Sequence, residues 1–160
     1  MTTWKEAARR AIFSGSAASV LSGVVLAICG KWERNAPAGP LNGPSQWVWG
    51  ERAARRSRVT VRETALGYSI HHAVSIGWAT VHEKHIAGLI PSRSPAARVA
   101  EAAVTATLAY VMDYGVARGR LQPGFDKHIG GMSLCAVYAA FALGLAMGAP
   151  QRMPSRRLGT

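Results

Sequence analysis

Charge avoids long tracts of this chain, and that avoidance limits the possible fold more than any other feature. Ala11–Gly30 contains no Asp, Glu, Lys or Arg, and none occurs between Lys127 and Arg152. Roughly 20 apolar helical residues cross a hydrocarbon core, so each tract is long enough to span a bilayer. Trp4 and Trp32 bracket the first tract, where indole rings favour the headgroup layer. Two further tracts fit between them. Glu63 and Glu83 enclose nineteen uncharged residues, and 96–118 is mostly apolar with Glu101 and Asp113 inside it. The expected fold is all-α: a four-helix transmembrane bundle forming one domain over 1–160, with spans near 11–30, 64–86, 96–118 and 129–150.

Bulk composition hides this pattern. Hydrophobic residues make up 49% and mean hydropathy is only +0.08, as in many soluble proteins. Charged residues, however, are 17%, below the roughly 25% of soluble domains. Lys and Arg outnumber Asp and Glu by 19 to 8, a net charge of +11. In a soluble protein that surplus would suggest nucleic acid. Here no recognition module accompanies it and many arginines sit at the ends of apolar tracts. The expected partner is therefore anionic lipid headgroups, not nucleic acid. Cys29 and Cys135 form neither a CxxC pair nor a zinc pattern and read as small buried hydrophobes. The first tract exceeds the apolar core of a cleaved signal peptide, and bulky Ile28 before Cys29 argues against a lipoprotein site.

Lys31–Glu63 is the long connection. Pro37, Pro40, Pro44, Gly39 and Gly43 argue against regular structure in its first part. Trp47, Trp49, Arg52, Arg55, Arg56 and Arg58 then suit a short interfacial helix, with indoles dipping into lipid and guanidiniums on phosphates. A solvated basic loop is the alternative. Small residues four apart let helix backbones approach closely in lipid. Gly15, Ser19 and Gly23 form one such ridge; Ala136, Ala140, Gly144 and Gly148 form another. Ser94 and Pro95 read as an N-cap followed by proline at the first helical position. The basic tail QRMPSRRLGT reads as disordered.

Helical spacing stacks His71, Ser75, Trp78, His82 and His85 on one stripe, expected to face the interior. Up-and-down connections put His71, His72, Asp113, Asp126 and His128 on one membrane side. His82, Glu83, His85 and Glu101 fall on the other. At 1.5 Å per residue His71 and His82 are roughly 16 Å apart, too far to share a metal. An isolated carboxylate at the depth of Asp113 costs ~2.5–3.5 kcal/mol even on a lenient scale. Its nearest candidate partners are His71 and His72. Such a pair could relay protons, hold a metal ligand in one tautomer, or merely set helix register.

Signatures of chemistry are absent. His82 and His85 lie three apart, not the four of a zinc HExxH motif. The Glu-x-x-His pairs of a diiron bundle are missing. Haem would need two axial histidines, such as His71 and His128, at matching depth. There is no nucleophile–base pair, phosphate loop or dinucleotide fingerprint. No cofactor is expected, with haem or metal the residual alternative.

Lys31-Trp32 before the proline-rich loop, HHAVSIGWATVHEK, YVMDYGVARGRLQPGFDKHIGG and SLCAVYAAFALG together resemble small bacterial inner-membrane proteins of the YagU-like type. The resemblance implies a multi-pass inner-membrane protein with no established reaction, and carries across no catalytic residue. The function expected from the residues is structural or accessory, through helix packing in an oligomer or membrane complex. The alternatives are a proton or ion conduit using Asp113 with His71 or His72, and a metal- or haem-binding protein. Nine basic residues on the terminal side against ten on the other do not orient the chain. The basic residues before the first span favour cytoplasmic termini.

Overall fold

The structure, a computed structural model, describes residues 2–91 and 94–148. Among these the chain is helical, with no strand. Helix α1, Trp4–Arg34, starts at Thr3, whose side chain accepts the Glu6 N–H at 3.2 Å. It ends at Asn35 in the left-handed conformation, φ 53°. The helix outruns the charge-free tract at both ends, because charged residues wind on as extra turns. Arg10 pairs with Glu6, and Lys31 bonds the side chain of Asn35 at 2.5 Å.

After four short elements described below, α5 occupies Leu66–Val81 and α6 Pro95–Tyr110. Both continue into π-helical turns: Val61–Ala65 precedes α5, His82–Ile86 follows it, and Val111–Val116 follows α6. The Ser94 hydroxyl accepts the Ala97 N–H at 3.1 Å with Pro95 first in the helix, as its sequence indicates. The last helix, α7, is Gly131–Gly148. Ala149, Pro150 and the basic tail lie outside the described residues. Among the described residues two helices, α1 and α7, are long and apolar enough to cross a membrane. The intervals expected as second and third spans are helical, each a 16-residue α-helix extended by π-helical turns that contain Glu83, Lys84 and Asp113.

Helix α1 lies antiparallel between α5 and α7, and α6 packs on α7. The close approaches occur at glycines. A Cβ at Gly15 would stand 2.7 Å from the Ile76 Cα, and one at Gly148 2.5 Å from the Ser14 Cα. Ser19 and Ala140 are buried, and Gly23 faces the Tyr68 ring, 3.1 Å from a notional Cβ. One member of the expected ridge is displaced: Ala136 is exposed. The inward position belongs to Val137, seven residues before Gly144 and so nearly two turns away on the same face.

The interior between the long helices holds Leu26, Val137, Phe141 and Leu145 together with many alanines and small or polar side chains, including Ser14, Ser19, Ser22, Ser75, Thr105, His82, Glu83 and Glu101. Bulky apolar side chains point outward: Phe13, Val20, Val24 and Ile28 on α1, Val104 and Leu108 on α6, Leu143 and Met147 on α7. Cys29 is half-buried, but Cys135 is exposed, not buried as its apolar context suggests.

The long connection is folded, contrary to its proline content. It winds through α2 (Gly39–Asn42), a 3-10 turn (Gly43–Ser45), α3 (Gln46–Trp49) and α4 (Glu51–Ala54). Pro40 and Pro44 fall in the first turns of these elements, where a missing N–H leaves no bond unmade. Asn42 organises the loop. It is fully buried, donates to the Arg56 and Arg58 carbonyls at 2.7 and 3.1 Å, and accepts the Thr64 hydroxyl at 2.7 Å. Gln46 ties the loop to the α6–α7 connection, donating to the Gln122 carbonyl at 2.5 Å and accepting from Lys127 at 2.6 Å. Gly50, at φ 79°, separates α3 from α4, so no continuous interfacial helix forms. Trp47, Trp49, Arg52, Arg55, Arg56 and Arg58 are nonetheless all exposed on this cap. Arg55 pairs with Glu51 at 2.6 Å, Arg56 with Glu63 at 3.4 Å, and Arg62 lies over the Trp49 ring at 4.3 Å.

Candidate functional site

Helix α5 packs on α1 and α6 on α7, but α5 and α6 have no extended packing between them. Beneath the cap, the space they leave holds a cavity of about 50 Å³. It joins residues from all four long helices: Ser22 of α1, His71 and Trp78 of α5, Tyr138 of α7, and Asp113 in the turn extending α6. Trp47 and Phe125 close it on the cap side, and Phe141 lies toward the bundle centre.

His71 and Asp113 thus line one cavity, but each is bonded to another residue. The Tyr138 hydroxyl donates to Asp113 Oδ2 at 2.5 Å. His71 Nε2 meets the Ser22 hydroxyl at 3.0 Å, and its ring stands edge-on to Phe125 with centroids 5.7 Å apart. The expected Asp–His pair is therefore an Asp–Tyr pair beside a His–Ser pair. Tyr138 is held in turn by Tyr110 and Tyr114, whose ring centroids lie 5.3 and 6.5 Å away. His72 tilts against Tyr68, and its buried Nδ1 has no hydrogen bond.

His128 does not join this group. Its Nε2–H donates to the Ala54 carbonyl at 2.7 Å, and its ring packs so tightly on Gly39 that a Cβ there would lie 2.6 Å from Nδ1. Burial, and next the charges of Arg34, Lys127 and Arg55, hold its pKa below the usual 6.5 against the pull of that carbonyl. It pins the cap as a neutral imidazole. Asp126 is exposed.

The second polar group sits at the far end of the helices. His82 Nδ1 meets the Thr105 hydroxyl at 2.7 Å, and Glu83 accepts from Ser14 at 3.3 Å. Glu101 accepts the Gly88 and Ile90 N–H groups, each at 2.8 Å, fixing the turn after α5. His85 leaves the interior stripe: it is exposed and meets the edge of Trp4, centroids 5.3 Å apart. Between the two groups, in order along every helix, come Ala18, Ala79, Ala106 and Phe141, all buried in one apolar cluster. Among the described residues no three of His, Cys, Asp and Glu converge as metal ligands.

Sequence reasoning missed Tyr138, Ser22 and the cap residues Asn42 and Gln46. A tyrosine within a charge-free tract was the available signal for the first, since a phenol in lipid seeks a polar partner. Compared with protein-family models, curated proteins and solved structures, the chain matches none.

Proposed function

We propose that this chain is a multi-pass membrane protein, a four-helix transmembrane bundle acting through helix packing in an oligomer or larger membrane complex. The bulky apolar side chains exposed along the long helices, with polar ones turned inward, carry this reading. Water would penalise the outward Phe13, Val20, Val24, Ile28, Leu108, Leu143 and Met147, whereas lipid would not. In lipid, small residues bring helices together and polar ones turn inward, the pattern found at Ser14, Ser19, Ser22 and Thr105. The cap would lie at the headgroup layer, where exposed Trp47 and Trp49 with the arginines beside them suit anionic lipid. The resemblance to YagU-like inner-membrane proteins agrees with this placement.

Oligomerisation is supported by the outer side of α5. Ser69, Ala73 and Gly77 are exposed four residues apart, and nothing lies within 4 Å of a Cβ at Gly77. The outer sides of α1, α6 and α7 also carry bulky residues such as Phe13, Val104, Leu108, Leu143 and Met147. Replacing Gly77 by Leu should halve the particle mass, or reduce it further, by light scattering in mild detergent, leaving the melting temperature of the released subunit within a few degrees of the parent. A parent that is already monomeric, or a Leu variant of unchanged mass, contradicts self-association. The conduit reading has less support, because an apolar cluster with Ala18, Ala79, Ala106 and Phe141 occupies much of the interior between the two groups, beside buried Ser19 and Ser75.

A further inference from the structure

The cavity beneath the cap has a chemistry that helix packing alone does not use. Asp113 lines it, and its one hydrogen bond among the described residues comes from Tyr138 to Oδ2. No ion pair reaches it from a described Lys or Arg, and none of those residues lines the cavity. Five aromatic side chains, Trp47, Trp78, Phe125, Tyr138 and Phe141, share the rest of the wall with aliphatic residues such as Ile70, Val74 and Val137. A carboxylate with no Lys or Arg beside it among the described residues, flanked by aromatic and aliphatic side chains, suits a positive charge with apolar flanks.

Two features narrow the class. A hard metal ion would want several oxygen ligands, and Asp113 is the only carboxylate in the wall. A volume of about 50 Å³ accommodates a small head but no long body, and the cavity lies where α5 and α6 do not pack together. A body attached to that head would leave through the gap toward the apolar exterior. We propose that this cavity binds the ammonium head of a lipophilic amine, with Asp113 as counter-ion, the aromatic wall around the head, and the apolar body lying between α5 and α6. Two sources share that chemistry: an amine-bearing phospholipid from the bilayer and a free lipophilic amine.

This inference rests on the membrane reading above. The probe is dodecylammonium, titrated into the full chain in maltoside micelles and read by tryptophan fluorescence, with dodecanol as the uncharged control. Saturable binding is expected for the parent, and at least tenfold weaker binding for Asp113→Asn, with dodecanol indifferent to the change. Tyr138→Phe, which removes the hydrogen bond but leaves the carboxylate, should bind as well as the parent or better. If Asp113 served only to fix helix register, both variants would lose stability alike and neither would alter a non-saturable signal.

Should Asp113→Asn fail to fold, Trp78→Leu must show the loss instead, since it removes aromatic wall and spares the carboxylate. Repeating the titration in nanodiscs distinguishes the sources. Competition by phosphatidylethanolamine assigns the site to a lipid head, and undiminished binding assigns it to a free amine. Absence of saturable binding in the parent, or equal binding by a folded Asp113→Asn, overturns the proposal. A chain that remains in the membrane yet fails this test leaves the packing reading intact; one released into water removes both.

Discussion

Gly144→Leu is expected to force α1 and α7 apart and cause a large loss of stability of the helical bundle. Even a methyl group at this position would lie 2.4 Å from the Ala18 Cα, 2.6 Å from its N and 2.7 Å from the Ala17 carbonyl oxygen. These are backbone atoms, so no rotamer change can make room and one helix must shift. Overpacking a tight core costs ~1–3 kcal/mol when side chains can adjust, and a leucine against backbone should exceed that. On the membrane reading proposed above, lipid supplies no hydrophobic drive between helices, and such close contacts would carry much of the cohesion. The check is the unfolding midpoint in mixed micelles titrated with dodecyl sulfate. Ala136→Leu is the matched control: it adds the same branched side chain to an exposed position of α7 and should leave the midpoint nearly unchanged. Equal midpoints for Gly144→Leu and the parent would mean that α1 and α7 do not meet there.

The second large effect belongs to the cap. Asn42→Ala removes two donated hydrogen bonds and one accepted bond at a fully buried position. The Arg56 and Arg58 carbonyls and the Thr64 hydroxyl lose a partner together. Each polar group stranded in this way costs about 1–3 kcal/mol, so a total near 2–4 kcal/mol is expected after partial rehydration. Asn42→Asp should do no better, since it retains the acceptor but turns a carboxylate oxygen toward two carbonyls. Hydrogen exchange over residues 36–60 measures the effect. Protection there should collapse while α1 and α7 keep theirs, and unchanged protection would show that the cap does not depend on Asn42.

How much of this was legible depended on whether a residue's neighbours are close in sequence. The charge-free tracts located α1 and α7, the Ser94–Pro95 pair located the start of α6, and four-residue spacing located Gly144 and Gly148 at the tight contact. Connection order alone separated the His71–Asp113 level from the His82–Glu101 level. The partner of Asp113 was not legible. Asp113 lies beyond Tyr110 in a π-helical turn, which winds more loosely than an α-helix and rotates later side chains away from their extrapolated direction. That rotation brings Asp113 to Tyr138 of α7 rather than to a histidine of α5.

The cap was misread for a different reason. Prolines that break a helix also begin one, and only the long-range bonds of Asn42 and Gln46 decide between the two outcomes. His128 was expected on the same side as His71. It turns into the cap, toward Gly39 and Ala54, which sequence order does not place near it.

The central claim is that lipid, not water, surrounds Phe13, Val20, Leu108 and Met147. Extraction of isolated membranes with alkaline carbonate, without detergent, tests it most directly. The expected result is that the full chain remains in the pellet and enters solution only when detergent is added. Recovery from the carbonate supernatant as a folded, monodisperse helical protein would contradict it.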